Sequence, residues 1–239
     1  MYPHQRPRSW LRSHKISTLL AVLVGGAGLS LAPLPQAVAS GAMTTEARPV
    51  ELHPSDAAPD RREVAEEVTP FALIGVGLDR APDRDLLVRV RTGGRWSEWL
   101  PLPITEGEAP DPGSGEGGRP GVQTEPLWFG DADAYELRAP ADVTAAVVFL
   151  VRPGEPTTTL GAAASAATAG PSIRPRAEWG ARSPKATPVN AADLKMAVVH
   201  HSVTGNTYSA AEVPEILRSI QAYHMDGRGW DDIAYNFAV

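Results

Sequence analysis

FALIGVGL, residues 71–78, and VTAAVVFLV, residues 143–151, decide how the middle of this chain folds. Both are short, rich in β-formers and bounded by Gly, Pro or Asp. DLLVRVRT (85–92), RWSEWLPLPI (95–104) and AYELRA (134–139) repeat the same texture between them. Short β-prone runs separated by turn formers predict a small all-β, sandwich-like domain over residues 70–153. TEGEAPDPGSGEGGRPG (105–121) reads as a long polar loop within it. Trp96, Trp99 and Trp128 have two readings there, core packing or stacking on sugar rings. In a continuous strand Trp96 and Trp99 would point to opposite faces, so only one of them would serve a given surface.

Upstream, residues 40–69 are acidic, dotted with proline and without sustained periodicity, which predicts a flexible tether. Residues 1–39 combine Arg6, Arg8, Arg12 and Lys15 with an apolar middle and the ending Ala37-Val38-Ala39. These are the parts of a secretory signal peptide. A retained membrane anchor is the competing reading; the Gly25-Gly26, Gly28 and Pro33 interruptions favour cleavage after Ala39. Export without a stable membrane anchor follows, with a secreted, extracellular location. Without those four cations, 18 of the 22 basic residues face 28 acidic ones. That balance argues against nucleic acid as a partner. The chain has no cysteine, which excludes thiolate chemistry and disulfides.

Residues 154–172 are Ala, Thr, Gly and Pro in low complexity, the composition of a linker. Beyond it, LKMAVVHHSVT (194–204) predicts a strand running into a polar loop. Alternation puts His200 and His201 on opposite faces, so one site takes only one of them. Ser209 and Glu212 have capping-box spacing. Val213, Ile216, Leu217, Ile220, Tyr223 and His224 recur at helical spacing, and Gly227 and Gly229 mark the helix stop. DDIAYNFAV (231–239) alternates as a second strand, so a helix between strands predicts an α/β layer. On spacing alone, His200, His224 and Tyr235 form a candidate constellation. A strand-end imidazole suits zinc, and equally it can be an ordinary loop residue.

IRPRAEWGAR (173–182), AVVHHSVTG (197–205) and AYHMDGRGWDDIAYNF (222–237) together resemble the peptidoglycan recognition proteins, the family of zinc-dependent N-acetylmuramoyl-L-alanine amidases with the type 2 amidase fold. The β domain and linker more loosely resemble the N-terminal extension of secreted actinobacterial members. The resemblance implies an incomplete α/β domain with a central mixed sheet over residues 173–239. It implies Zn²⁺ as cofactor, His200 as a metal ligand and Tyr235 as a catalytic hydroxyl beside the metal. It makes His224 a structural or substrate-adjacent residue, and Trp179 and Trp230 core residues rather than groove residues.

The implied partner is peptidoglycan, and the implied reaction is hydrolysis of the amide between N-acetylmuramic acid and L-alanine. Zinc would lower the pKa of its bound water toward ~7, and Tyr235 would hydrogen-bond the developing oxyanion. The family's other two ligands lie downstream of the YNF block, so the expectation is a fragment inactive by itself. The alternative is a non-catalytic peptidoglycan-binding module. The sequence does not address oligomeric state.

Overall fold

A computed structural model of the protein describes residues 41–105, 118–154, 173–188, 199–200, 202 and 205–238. Residues 1–40, most of the polar loop, nearly all of the expected linker, and residues 194–198, 201, 203 and 204 of the expected histidine strand lie outside the described residues. Ten strands are described: β1 (Thr44–Glu51), β2 (His53–Pro54), β3 (Arg61–Leu78), β4 (Leu86–Thr92), β5 (Arg95–Trp96), β6 (Leu100–Leu102), β7 (Ile104–Thr105), β8 (Val122–Thr124), β9 (Leu127–Pro140) and β10 (Ala145–Arg152). They form one antiparallel sheet with central order β1-β10-β3-β9-β4-β5.

The acidic segment expected as a tether is instead part of this sheet. Residues 44–51 pair with β10 along their whole length, and residues 61–67 pair with β9. Its carboxylates are neutralised mostly across strands. Glu66 binds Arg48, Glu63 binds Arg138, Glu67 binds Arg91 and Glu46 binds Arg152, while Arg48 also binds Glu46 on its own strand. The hydrogen bond from Arg48 is the main reason the Glu46 carboxyl sits below its ordinary value.

The long strands β3 and β9 bend past each other through offsetting bulges. Between the pairs Glu67↔Ala134 and Phe71↔Ala132, β3 carries the extra residues; between Phe71↔Ala132 and Leu73↔Trp128, β9 does. Pro70 and Gly130 (φ 83°) sit in these two irregularities, where a missing N–H or a left-handed backbone is tolerated. The bend lets alternate residues of β3 and β10 enter different cores. Phe71, Ile74, Val76, Val148 and Leu150 join Leu86, Val88, Tyr135 and Leu137 in the main core. Leu73, Phe149 and Val151 face the other way. Both faces of these strands are buried, which is why the runs read as almost continuously apolar.

The second face is covered by the C-terminal segment. Helix α1 (Val213–Ala222) lays Ile216 and Ile220 on Leu73, Phe149 and Val151, with Met43 from the chain entering β1 at its edge. A π-helical turn (Tyr223–Gly227) follows. The expected capping box does not cap α1, whose N-cap is Glu212 with no side-chain cap bond; in the preceding turn the Ser209 N–H and hydroxyl both donate to the Glu212 carboxylate at 2.7 Å. The expected second strand is not present, because residues 231–238 are irregular. Their alternation lacks a neighbouring edge to pair with among the described residues, and a lone strand has nothing to bond its backbone. The described residues thus show an antiparallel β domain carrying one α-helix, with the mixed α/β sheet expected for 173–239 not among them.

Trp96 and Trp99 do not obey strand alternation either. Strand β5 ends at Trp96, and residues 97–99 are not extended into a strand. Both indoles therefore meet the Arg89 guanidinium, at 5.1 and 4.9 Å, and Arg138 lies 4.2 Å over Trp99. These are cation–π contacts within the sheet's own charge network, since Arg89 also pairs with Glu136 and Arg138 with Glu63.

Candidate functional site

Three sequence-derived candidates, His200, His224 and Tyr235, converge around the turn after α1. The Tyr235 ring stacks on His200, with centroids 6.3 Å apart and planes at 30°, and lies 5.7 Å from His224. Trp230 closes the cluster 4.8 Å from His224 and is itself buried. His200 is exposed and Tyr235 half-buried, so the open side of the cluster is the His200 side.

His224 is the fixed point. It follows the buried stripe of α1 and is only 2% exposed. Its Nδ1 accepts the Ala234 N–H at 3.2 Å, and its carbonyl accepts the Trp230 N–H at 3.0 Å. Burial, helped by the nearby Arg228 cation and opposed by Asp232, pushes its pKa down to about 3. The imidazole is therefore neutral at ordinary pH, with Nδ1 as acceptor and the proton on Nε2. A ring held this way orients the backbone next to Tyr235.

The turn itself is braced by groups that spacing did not reveal. Arg228 is almost fully buried and donates to Thr105 Oγ1 at 2.6 Å and the Thr124 carbonyl at 3.1 Å, with Glu125 Oε1 at 3.5 Å. Its guanidinium also lies 4.7 Å over Trp230. Asp226 accepts from Thr45 and Arg182. Asp232 accepts from Arg176 and Gln221, which hold its carboxyl below the ordinary range against the effect of burial. The signal for Arg228 was weak: a single arginine between two glycines, with its partners about a hundred residues away.

Zinc needs three protein donors and an open position. Among the described residues no group of three His, Cys, Asp or Glu side chains is arranged to hold a metal. His200 is an exposed donor, whereas His224 has Nδ1 engaged and its ring enclosed. These residues alone do not make a zinc site.

The described residues show an antiparallel β domain joined to a helical segment with a histidine–tyrosine cluster. The chain belongs to the family described as Rv3811 N-terminal galactose-binding domain-like, whose model matches residues 35–178. It is also similar to peptidoglycan-recognition proteins over a partial stretch. Over 64 residues it is 42% identical to peptidoglycan-recognition protein SC1a/b of Drosophila simulans, covering 27% of this chain and 35% of that one. Over 73 residues it is 41% identical to protein SC2 of the same species, covering 30% and 40%. Over 69 residues it is 32% identical to protein SA of Drosophila melanogaster, covering 29% and 34%. The chain thus spans little more than a third of the length of these relatives. No solved structure matches it.

Proposed function

We propose that this chain recognises peptidoglycan and belongs to a zinc-dependent N-acetylmuramoyl-L-alanine amidase, to which it contributes His200 as one metal donor and Tyr235 as the hydroxyl beside it. The observation that carries the reading is the stacking of Tyr235 on the exposed His200, in a segment resembling peptidoglycan-recognition proteins. The neutral, buried His224 supports it by fixing the Ala234–Tyr235 backbone. Bound zinc would supply Lewis acidity and an activated water. The described residues do not complete its ligand set, so the chemistry assigned to this chain stops at one donor and one positioned hydroxyl. Export directed by residues 1–39 would place the protein at the wall.

A second reading, peptidoglycan binding without hydrolysis, is favoured by the same donor count. Co-sedimentation of the protein extended through the remaining length of its peptidoglycan-recognition segment with insoluble peptidoglycan, together with zinc content and release of stem peptides, separates the two. Binding lost in Tyr235→Ala, with zinc bound and lost in His200→Ala, supports the first reading. Binding without zinc or peptide release supports the second. No binding at all removes both.

A further inference from the structure

Arg228 is 2% exposed and reaches from the C-terminal segment into the β domain. Its Nη2 donates to Thr105 Oγ1 on β7 at 2.6 Å and to the Thr124 carbonyl on β8 at 3.1 Å, with Glu125 Oε1 at 3.5 Å. The receiving wall is itself braced. The Thr105 hydroxyl donates to Glu125 Oε1 at 2.7 Å, and the Glu125 N–H donates to the Pro103 carbonyl at 2.8 Å. Thr124 Oγ1 accepts the Val76 N–H from β3 at 3.0 Å. The backbone of the turn is tied to the same domain. The Arg119 N–H donates to the Arg228 carbonyl at 2.7 Å, and the Arg119 guanidinium donates to the Asp226 carbonyl at 3.1 Å.

The Arg228 guanidinium is also the inner end of a chain of rings that leads to the candidate site. It lies 5.6 Å over Tyr223, which belongs to the core shared with the sheet, and 4.7 Å over Trp230. Trp230 is 4.8 Å from His224, and His224 is 5.7 Å from Tyr235, which stacks on His200. Two backbone donors run alongside, Trp230 N–H to the His224 carbonyl at 3.0 Å and Ala234 N–H to His224 Nδ1 at 3.2 Å. Close-packed side chains pass a displacement on rather than absorb it. A buried ion pair is weak evidence for stability alone, since apolar residues of the same volume often serve as well. Apolar residues cannot supply a planar cation that bonds two strands and lies over an indole at once.

We propose that Arg228 is a positioning residue through which the β domain sets the His224 and Tyr235 rings, so that both parts of the chain build the cluster. The role rests on the His200–Tyr235 cluster being the functional site; the contacts that define it do not. The β domain is then part of the support of the site and not a separate module beside it.

The test compares ring contacts in the full chain by ¹H–¹H nuclear Overhauser effects, with Tyr223–Phe149 as the control for helix seating. Two variants separate positioning from packing. Glu125→Leu with Arg228→Met replaces the buried pair by apolar groups of similar size, and Arg228→Lys keeps the charge without the planar fork. In both, the Tyr223–Phe149 contact is expected to persist while the His224–Trp230 and His224–Tyr235 contacts weaken. In the protein extended through the remaining length of its peptidoglycan-recognition segment, both should lower kcat roughly tenfold or more with little change in KM. Cluster contacts of wild-type strength, in either variant that keeps the control contact, overturn the proposal. Thr105→Val decides the matter if the Arg228 variants do not fold. It removes one acceptor on β7, leaves the ion pair in place, and should shift the Trp230 indole N–H and His224 ring signals. Unmoved signals overturn the proposal equally. The ring contacts are read without zinc, wall material or turnover, so an inactive wild type counts against the amidase reading alone.

Discussion

The phenol ring of Tyr223 occupies the space that a side chain at Gly75 would need. On β3, Gly75 lies opposite Phe149 of β10, and a methyl group built on it would overlap the Tyr223 ring. Tyr223 packs edge-to-face on Phe149 with centroids 6.0 Å apart and donates its hydroxyl to the Thr124 carbonyl at 2.9 Å. Burial pushes that hydroxyl's pKa up to about 12, which keeps it a donor at any ordinary pH. One absent side chain therefore seats the helix on the sheet.

Gly75→Ala is expected to destabilise the protein by roughly 1–3 kcal/mol, the usual range for overpacking a filled core. Gly118→Ala, where an added methyl meets nothing within 4 Å, should stay within about 0.5 kcal/mol of wild type. Urea titration of both variants checks the pair, and equal destabilisation would remove Tyr223 as the anchor.

Glu125→Ala leaves the buried Arg228 cation without its carboxylate, and a loss of roughly 3 kcal/mol is expected. Replacing both residues with apolar ones of similar size, Glu125→Leu with Arg228→Met, should recover much of that loss. A thermal melt of the single and double variants reads it. A double variant no better than the single would mean that Arg228 acts through Thr105 and Thr124 instead.

His224 supplies a pH dependence with a defined sign. Its folded pKa is about 3 against an ordinary 6.5, so in that window the unfolded chain binds the proton and the folded chain does not. The contribution is fully present above the unfolded value and is lost as pH falls toward the folded one. Urea midpoints measured between about pH 7 and pH 4 should fall more steeply in wild type than in His224→Asn. Parallel slopes would contradict a buried neutral imidazole.

Trp99→Leu should reduce stability by about 1 kcal/mol beyond any change in packing, because two guanidinium groups lie over its ring. Trp96 is 39% exposed, so Trp96→Leu should cost less. Guanidinium denaturation followed by far-ultraviolet circular dichroism measures both without relying on the removed indole.

How much of this was legible follows from where the deciding contacts lie. FALIGVGL and VTAAVVFLV announced strands because burial on both faces leaves no polar position to hide the pattern. The α1 stripe was legible because its period is local. The strands in residues 44–51 and 61–67 were not, since a segment's own count of acids says nothing about arginines waiting on β4 and β9. Trp96 and Trp99 were assigned opposite faces by an alternation that stops where β5 ends. At the candidate site, the histidines and the tyrosine named from spacing lie beside one another in the fold. Arg228 and Glu125 escaped notice because their meeting depends on a fold linking residues about a hundred positions apart.

The shared core between β10 and α1 also bears on what happens if the backbone is severed. Ile216, Ile220 and Tyr223 are buried against Leu73, Phe149 and Val151, with Asp226 tied to Thr45 and Arg119. A protease site engineered between Gly154 and Ile173 would therefore yield two pieces that remain non-covalently associated after cleavage. They would migrate together on gel filtration and come apart only in denaturant.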